Sequence, residues 1–165
     1  MRLNLQSIIH VPGASMPFAF EIDLSNTEFY GSFPIPHPLE VSGIVRNAAG
    51  ALVLEGRAST CLVLSCDRCA CQFSREKLVE LDFLLAKELE GEEDEIVLLD
   101  GDELDVSDLA STAFILDMDT KNLCSEDCKG LCPGCGVNLN IQPCRCKSEV
   151  DPRLAALAQL LDKTE

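Results

Sequence analysis

Six of the chain's ten cysteines fall between residues 124 and 146, in the stretch CSEDCKGLCPGCGVNLNIQPCRC, and two more form a C-x-x-C pair at Cys66 and Cys69. No other feature restricts the fold as much, because paired thiols at short spacing must end up bonded to each other, bound to a metal, or exposed for chemistry. A chain of 165 residues with 47% hydrophobic content can bury a core without cross-links. The first fifteen residues carry one charge, at Arg2, and no apolar run of signal-peptide length, and no stretch of 18 apolar residues occurs. These features predict a soluble cytoplasmic protein that does not engage a membrane. In a reducing compartment, clustered thiols serve metals more often than disulfides.

The spacing gives four close pairs: Cys66 with Cys69, Cys124 with Cys128, Cys132 with Cys135, and Cys144 with Cys146. A C-x-x-C turn places two thiolates about one ion while its backbone amides point at the sulfurs, and a closed structural zinc site takes four such ligands. Eight thiols are enough for two sites. Only GVNLNIQP separates the 132/135 pair from the 144/146 pair, a loop short enough to close a small zinc ribbon. Cys66 and Cys69 are then left to meet Cys124 and Cys128. One site built from the two C-x-x-C turns is the competing arrangement, so the expectation is two zinc ions with one as the alternative. Cys61 reads as a buried small hydrophobe in mid-strand, and Cys71 as a neighbour able to substitute as a ligand.

The rest of the chain reads as α+β, an antiparallel barrel-like or twisted sheet with a packed helix. Leu39, Val41, Gly43 and Val45 alternate with Glu40, Ser42, Ile44 and Arg46, and Leu52, Leu54, Ala58, Leu62 and Leu64 continue a period near two beyond a turn at 47–50. Val79, Leu81, Phe83 and Leu85 repeat the pattern after the CDRC bend. Residues 88–105 are dense in carboxylates and read as a solvated acidic loop. From Asp105 the period becomes helical through Val106, Leu109, Ala110, Ala113 and Phe114, with Asp105 or Ser107 as cap. A terminal helix is expected from Asp151 and Pro152 through Leu154, Leu157 and Leu161, either closing the core or meeting a partner. The expected division is a sheet-and-helix domain over 1–120 and a zinc-ribbon-like tail over 121–165.

Catalysis has little support. His10 and His37 have no matching carboxylate or cysteine pattern, and no Gly-rich phosphate loop, G-x-S-x-G elbow or H-E-x-x-H helix occurs. Neither C-x-x-C opens a helix in a βαβ setting, as a thioredoxin-like role requires. Four thiolates also suit iron–sulfur clusters, but zinc is the commoner occupant of paired knuckles. With every clustered thiol used, no coordination position stays open for water, so the metal reads as structural, with no catalytic residue and no small-molecule substrate. With 28 acidic against 13 basic side chains and a formal charge of −15, tight RNA or DNA binding is disfavoured and a basic protein partner favoured.

In order along the chain, VPGASMPFAFEIDL, GALVLEG, CDRC, GDELDVSDL, LCSEDCKGLCPGCGVNLN and DPRLAAL resemble the bacterial YceD family, the large ribosomal RNA subunit accumulation proteins, long described as a domain of unknown function. The resemblance implies a role in ribosome biogenesis, in the synthesis, processing or accumulation of large-subunit ribosomal RNA, with no enzymatic activity assigned. The family's C-x-x-C maps onto Cys66 and Cys69. The longer cysteine-rich tail of some members maps onto Cys124, Cys128, Cys132, Cys135, Cys144 and Cys146. Two zinc-loaded sites would take the formal charge from −15 to about −19, which leaves RNA binding no easier. A non-enzymatic zinc-binding factor acting through a basic ribosomal protein or assembly factor is therefore expected, with residues 88–105 as its candidate contact. The alternative is a redox- or zinc-responsive regulator whose tail unfolds when oxidation ejects metal.

Overall fold

The computed structural model describes residues 1–87 and 96–146. Its frame is a hairpin of two long strands that run beyond the core and carry the first cysteine turn at their far end. The alternation read above becomes β1 (Arg2–Asn4), α1 (Gln6–Ile9), β2 (Ser15–Ile22), β3 (Leu39–Ala48), β4 (Ala51–Ser65), β5 (Gln72–Ala86), β6 (Ile96–Leu98), β7 (Glu103–Asp105) and α2 (Val106–Leu116). The five-stranded sheet has the order β2-β3-β4-β5-β6, and β1 pairs with β7 in a separate ribbon. β3 and β4 are joined by a two-residue turn in which Ala49 and Gly50 both take positive φ, 54° and 101°, as primed hairpin turns require. β4 and β5 then pair from Leu52↔Leu85 to Ser65↔Gln72.

Period two sends Val41, Val45, Leu54, Ala58, Leu62, Val79 and Leu81 to one face, where they are buried. α1, the β1–β7 ribbon and α2 cover that face through Leu5, Ile8, Leu104, Val106, Ala110 and Phe114, and Ile35 joins them from the segment between β2 and β3. Gly43 and Gly56 face each other across β3 and β4, and the Phe18 ring lies over them; a Cβ on Gly43 would stand 2.6 Å from Phe18 Cζ. The one buried polar side chain described, Asn47, donates from Nδ2 to the carbonyls of Ile8 (2.9 Å) and Ile9 (2.8 Å) and accepts from the Gly50 amide, so its burial is compensated.

Of the expected antiparallel barrel-like or twisted sheet, the barrel-like form and the wholly antiparallel pairing are corrected. The sheet is open, with β2 and β6 at its edges, because the helices and the β1–β7 ribbon occupy the inner face and Phe114 fills the interior. It is also mixed, since β6 pairs with β5 in parallel. β6 and β7 fall inside the stretch expected to be an acidic loop: the apolar run Ile96-Val97-Leu98-Leu99 returns to the sheet, and Leu104 is buried against the core. Residues 88–95 and the expected terminal helix at 151–163 lie outside the described residues. α2 begins where predicted, with the Asp105 carboxylate accepting from the Ser107 and Asp108 amides, both at 3.2 Å.

Candidate metal centre

β4 ends at Ser65, and the chain turns back on itself before β5. Within that turn the Ala70 amide donates to the Cys66 carbonyl at 2.8 Å and the Cys66 amide to the Cys71 carbonyl at 2.9 Å, which sets Cys66 and Cys69 side by side. Past α2, cations on β5 guide the chain towards this turn. Lys77 Nζ donates to the Asp117 carbonyl at 2.7 Å, and Arg75 Nη2 to the Leu123 carbonyl at 2.7 Å. Asp67 and Asn122 are then joined twice, by Asp67 N–H to the Asn122 carbonyl (2.8 Å) and Asn122 N–H to the Asp67 carboxylate (2.6 Å). Cys124 and Cys128 are delivered against Cys69 and Cys66.

In this sheet-end cluster the Cys66–Cys128 and Cys69–Cys124 sulfurs are each 3.7 Å apart, and all four lie within 4.8 Å of one another. Tetrahedral zinc with sulfurs at ~2.3 Å sets them about 3.8 Å apart, whereas a disulfide needs ~2.05 Å. Cys66, Cys69 and Cys128 are buried and Cys124 is exposed. The Arg68 guanidinium donates to the Cys128 carbonyl at 2.8 Å, closing the turn over the arriving chain.

The second group, the tail cluster of Cys132, Cys135, Cys144 and Cys146, also lies within 4.8 Å throughout. Its sulfurs are 3.1 Å apart for Cys132–Cys144 and 3.6 Å for Cys135–Cys144. Backbone amides point at sulfur, as the knuckle geometry requires: Gly134 N–H to Cys132 at 3.4 Å and Cys146 N–H to Cys144 at 3.1 Å. Gly136 closes the turn with φ +73°, its amide donating to the Cys132 carbonyl at 2.8 Å. This cluster is the more open, with Cys135 and Cys146 exposed.

Each cluster divides its thiols into acidic and reluctant members. The Cys124 amide, with those of Cys69 and Arg68, brings Cys66 down to about 6. The Cys71 amide pulls Cys69 the same way, but burial and three neighbouring thiols push it up. Cys132 falls to about 6 through its hydrogen bond with Cys144 and the Cys135 and Gly134 amides, while Cys144 and Cys135 push Cys146 up to about 12. Thiolates packed this closely repel one another, and a divalent cation in their midst removes that penalty. Two groups of four soft donors therefore can each hold a metal ion.

The eight cysteines singled out by spacing thus lie together in the two fours that the loop lengths suggested. The expectation for Cys61 is corrected. Cys61 is half-buried on the outer sheet face, where it lines an open groove of about 830 Å³ with His37 and Glu76, because odd positions in this part of β4 face away from the core. Cys71 is exposed and outside the sheet-end four, and it accepts a hydrogen bond from Asn138 Nδ2 at 3.3 Å. In the tail, an isolated bridge between Leu131 and Asn138 stands where ribbon strands were expected, among the described residues. Sequence reasoning also passed over Arg68, Arg75, Asn138 and Asn140, which hold the clusters in place. Two asparagines spaced by one residue, inside a short loop flanked by ligand pairs, were the available signal.

Comparison with known proteins places this chain in a family. Uncharacterized proteins of Mycobacterium tuberculosis and Mycobacterium bovis are 29% identical over 122 residues, covering 71% of this chain and 59% of theirs. Large ribosomal RNA subunit accumulation protein YCED homolog 1, chloroplastic, of Arabidopsis thaliana is 25% identical over 179 aligned residues, covering 89% of this chain and 56% of its own length. The chain thus spans less than three fifths of the length of these relatives. No solved structure matches it. The family model for large ribosomal RNA subunit accumulation protein YceD matches residues 54–161, from β4 through both cysteine clusters, and the chain belongs to the YceD family.

Proposed function

We propose that this chain is a non-enzymatic zinc-binding factor in ribosome biogenesis, which supports large-subunit ribosomal RNA synthesis, processing or accumulation through a basic protein partner. Membership of the YceD family supports the process, and the two sets of four mutually close thiols carry the metal. Cys66, Cys69, Cys124 and Cys128 hold one zinc, and Cys132, Cys135, Cys144 and Cys146 hold a second. Zinc is favoured because eight thiolates in two closed sets match its tetrahedral preference and leave no position for water, so the ions act as structural clamps. The sheet-end ion fastens a ribbon-like tail, residues 121–165, to the body formed by residues 1–120. The formal charge of −15 suits a lysine- and arginine-rich partner, with residues 88–105 as its contact, and the work is placed in the cytoplasm.

Elemental analysis of protein purified under reducing conditions tests the metal. Two zincs per chain are expected, one would leave a single site, and none would overturn the reading. Reversal of several charges in residues 88–105 is expected to abolish capture of a basic ribosomal protein. Undiminished capture would remove that segment as the contact. A redox-responsive regulator is the second reading, favoured by the 3.1 Å Cys132–Cys144 approach and the exposure of Cys135 and Cys146. Peroxide treatment that releases one zinc reversibly, and partner capture with it, would support this second reading.

A further inference from the structure

One side chain other than a cysteine donates a hydrogen bond to a sheet-end cluster sulfur, among the described residues, and it comes from the loop of the other cluster. Asn140 lies between Cys135 and Cys144; its Nδ2 donates to Cys128 Sγ at 3.3 Å, and its Oδ1 accepts from the Lys129 amide at 2.8 Å. The amide is itself held in place. Asn138 Oδ1 accepts from the Asn140 backbone and side-chain nitrogens, both at 2.9 Å, and the Leu139 amide donates to the Gly130 carbonyl at 2.9 Å. The same loop is anchored to the tail cluster by the Cys132 amide, which donates to the Val137 carbonyl at 2.8 Å.

We propose that Asn140 is a positioning residue for the sheet-end cluster and that it couples the two sites: an ion in the tail cluster fixes the loop that presents Asn140 to Cys128, so the sheet-end site binds metal more tightly once the tail site is filled. Outer hydrogen bonds of this kind orient a ligand and stabilise its charged form. By linkage, filling the sheet-end site tightens the tail site by the same factor. The inference rests on the two-site reading above.

The test is cobalt(II) binding to the full chain in competition with a chromophoric chelator, thiolate-to-cobalt absorbance reporting each site. Asn140→Ala is expected to weaken the sheet-end site about 10- to 100-fold. Asn140→Asp keeps the acceptor for Lys129 N–H but removes the donor to sulfur, and should reproduce that loss. The tail-site variant Cys144→Ser/Cys146→Ser should weaken the sheet-end site comparably, and adding Asn140→Ala to it should weaken the site little further. Gln142→Ala, in the same loop, should bind like the wild type. Wild-type affinity in Asn140→Ala or Asn140→Asp, or fully additive losses in the combined variant, would overturn the coupling while leaving two sites intact. Failure of the wild type to take up two ions would overturn the coupling and the two-site reading together.

Discussion

Gly130 is the joint between the clusters, two residues after Cys128 and two before Cys132, and its replacement by alanine tests how the tail is docked there. Its φ is +76°, and a Cβ there would stand 2.9 Å from the Arg68 carbonyl oxygen and 3.3 Å from Arg68 Cβ. The Arg68 carbonyl cannot simply withdraw, because it accepts from the Leu131 amide at 2.9 Å while its guanidinium holds the Cys128 carbonyl. The left-handed conformation costs an L-residue about 1–2 kcal/mol, and the overlap with backbone brings the total to roughly 2–3 kcal/mol. The strain exists where the tail is docked and relaxes where it is released, so it should appear as lost metal affinity at the sheet-end site. That corresponds to about 30- to 150-fold. Gly136→Ala supplies the control: φ is +73°, but no heavy atom lies within 4 Å of its added Cβ, so it carries the conformational cost alone. Roughly 5- to 30-fold is expected there, at the tail site. Chelator competition on both variants separates the two contributions. A Gly130→Ala chain that holds sheet-end metal as tightly as the wild type would refute the docking of the tail through Arg68.

Phe114, the largest fully buried side chain, anchors α2 against the sheet, and Phe114→Ala should cost about 3–5 kcal/mol and lower Tm by roughly 10 °C in a thermal melt. Gly43→Ala would put a Cβ 2.5 Å from the Glu55 carbonyl and 2.6 Å from the Phe18 ring, so a loss of about 1–3 kcal/mol or more is expected in urea unfolding, partly relieved by Phe18→Leu. The Ser107 hydroxyl, then the Asp108 amide, hold the Asp105 carboxyl well below its ordinary range. A depressed folded-state value contributes stability above the unfolded value near 4 and loses it as pH falls towards the folded one. Melting curves below about pH 4 should therefore fall more steeply in the wild type than in Asp105→Asn.

What could be read from the sequence was whatever repeats over many residues or is fixed by loop length. The alternation in β3, β4 and β5 runs for 10 to 15 residues and identifies the buried face residue by residue, Leu54 and Leu81 inward, Glu55 and Asp82 outward. The short link between the tail pairs is enough to group Cys132, Cys135, Cys144 and Cys146 from spacing alone. The β1–β7 ribbon was not legible. Three residues show no period, and the pairing of Leu3 with Leu104 joins positions 101 residues apart in the sequence. The openness of the sheet was not legible for a related reason: strand patterning names the inner face but not what covers it, and here α2 and the β1–β7 ribbon do. The asparagine contacts escaped because a short polar loop has the same composition whether its amides face water or a thiolate.

The positions of the cations bear on the kind of partner proposed above. Arg68, Arg75 and Lys77 are engaged with carbonyls of residues 117–128 and hold the cysteine-bearing segment on the sheet. Arg46 pairs with Glu55, Lys87 with Asp102 and Arg2 with Asp105. Among the described residues, six basic side chains are thus engaged within the fold, in a chain with 13 basic and 28 acidic ones. Affinity for a phosphate backbone comes from cations free to displace counterions, and each internally engaged lysine or arginine lowers that supply. The same arrangement leaves Glu21 opposite Glu40 on the outer strand face, like charges across the ladder that weaken the sheet there, while Glu55, opposite Asp82, is paired with Arg46. A lysine- or arginine-rich protein surface relieves that repulsion and a nucleic acid increases it, which is the electrostatic ground for proposing a protein, rather than RNA, as the direct partner.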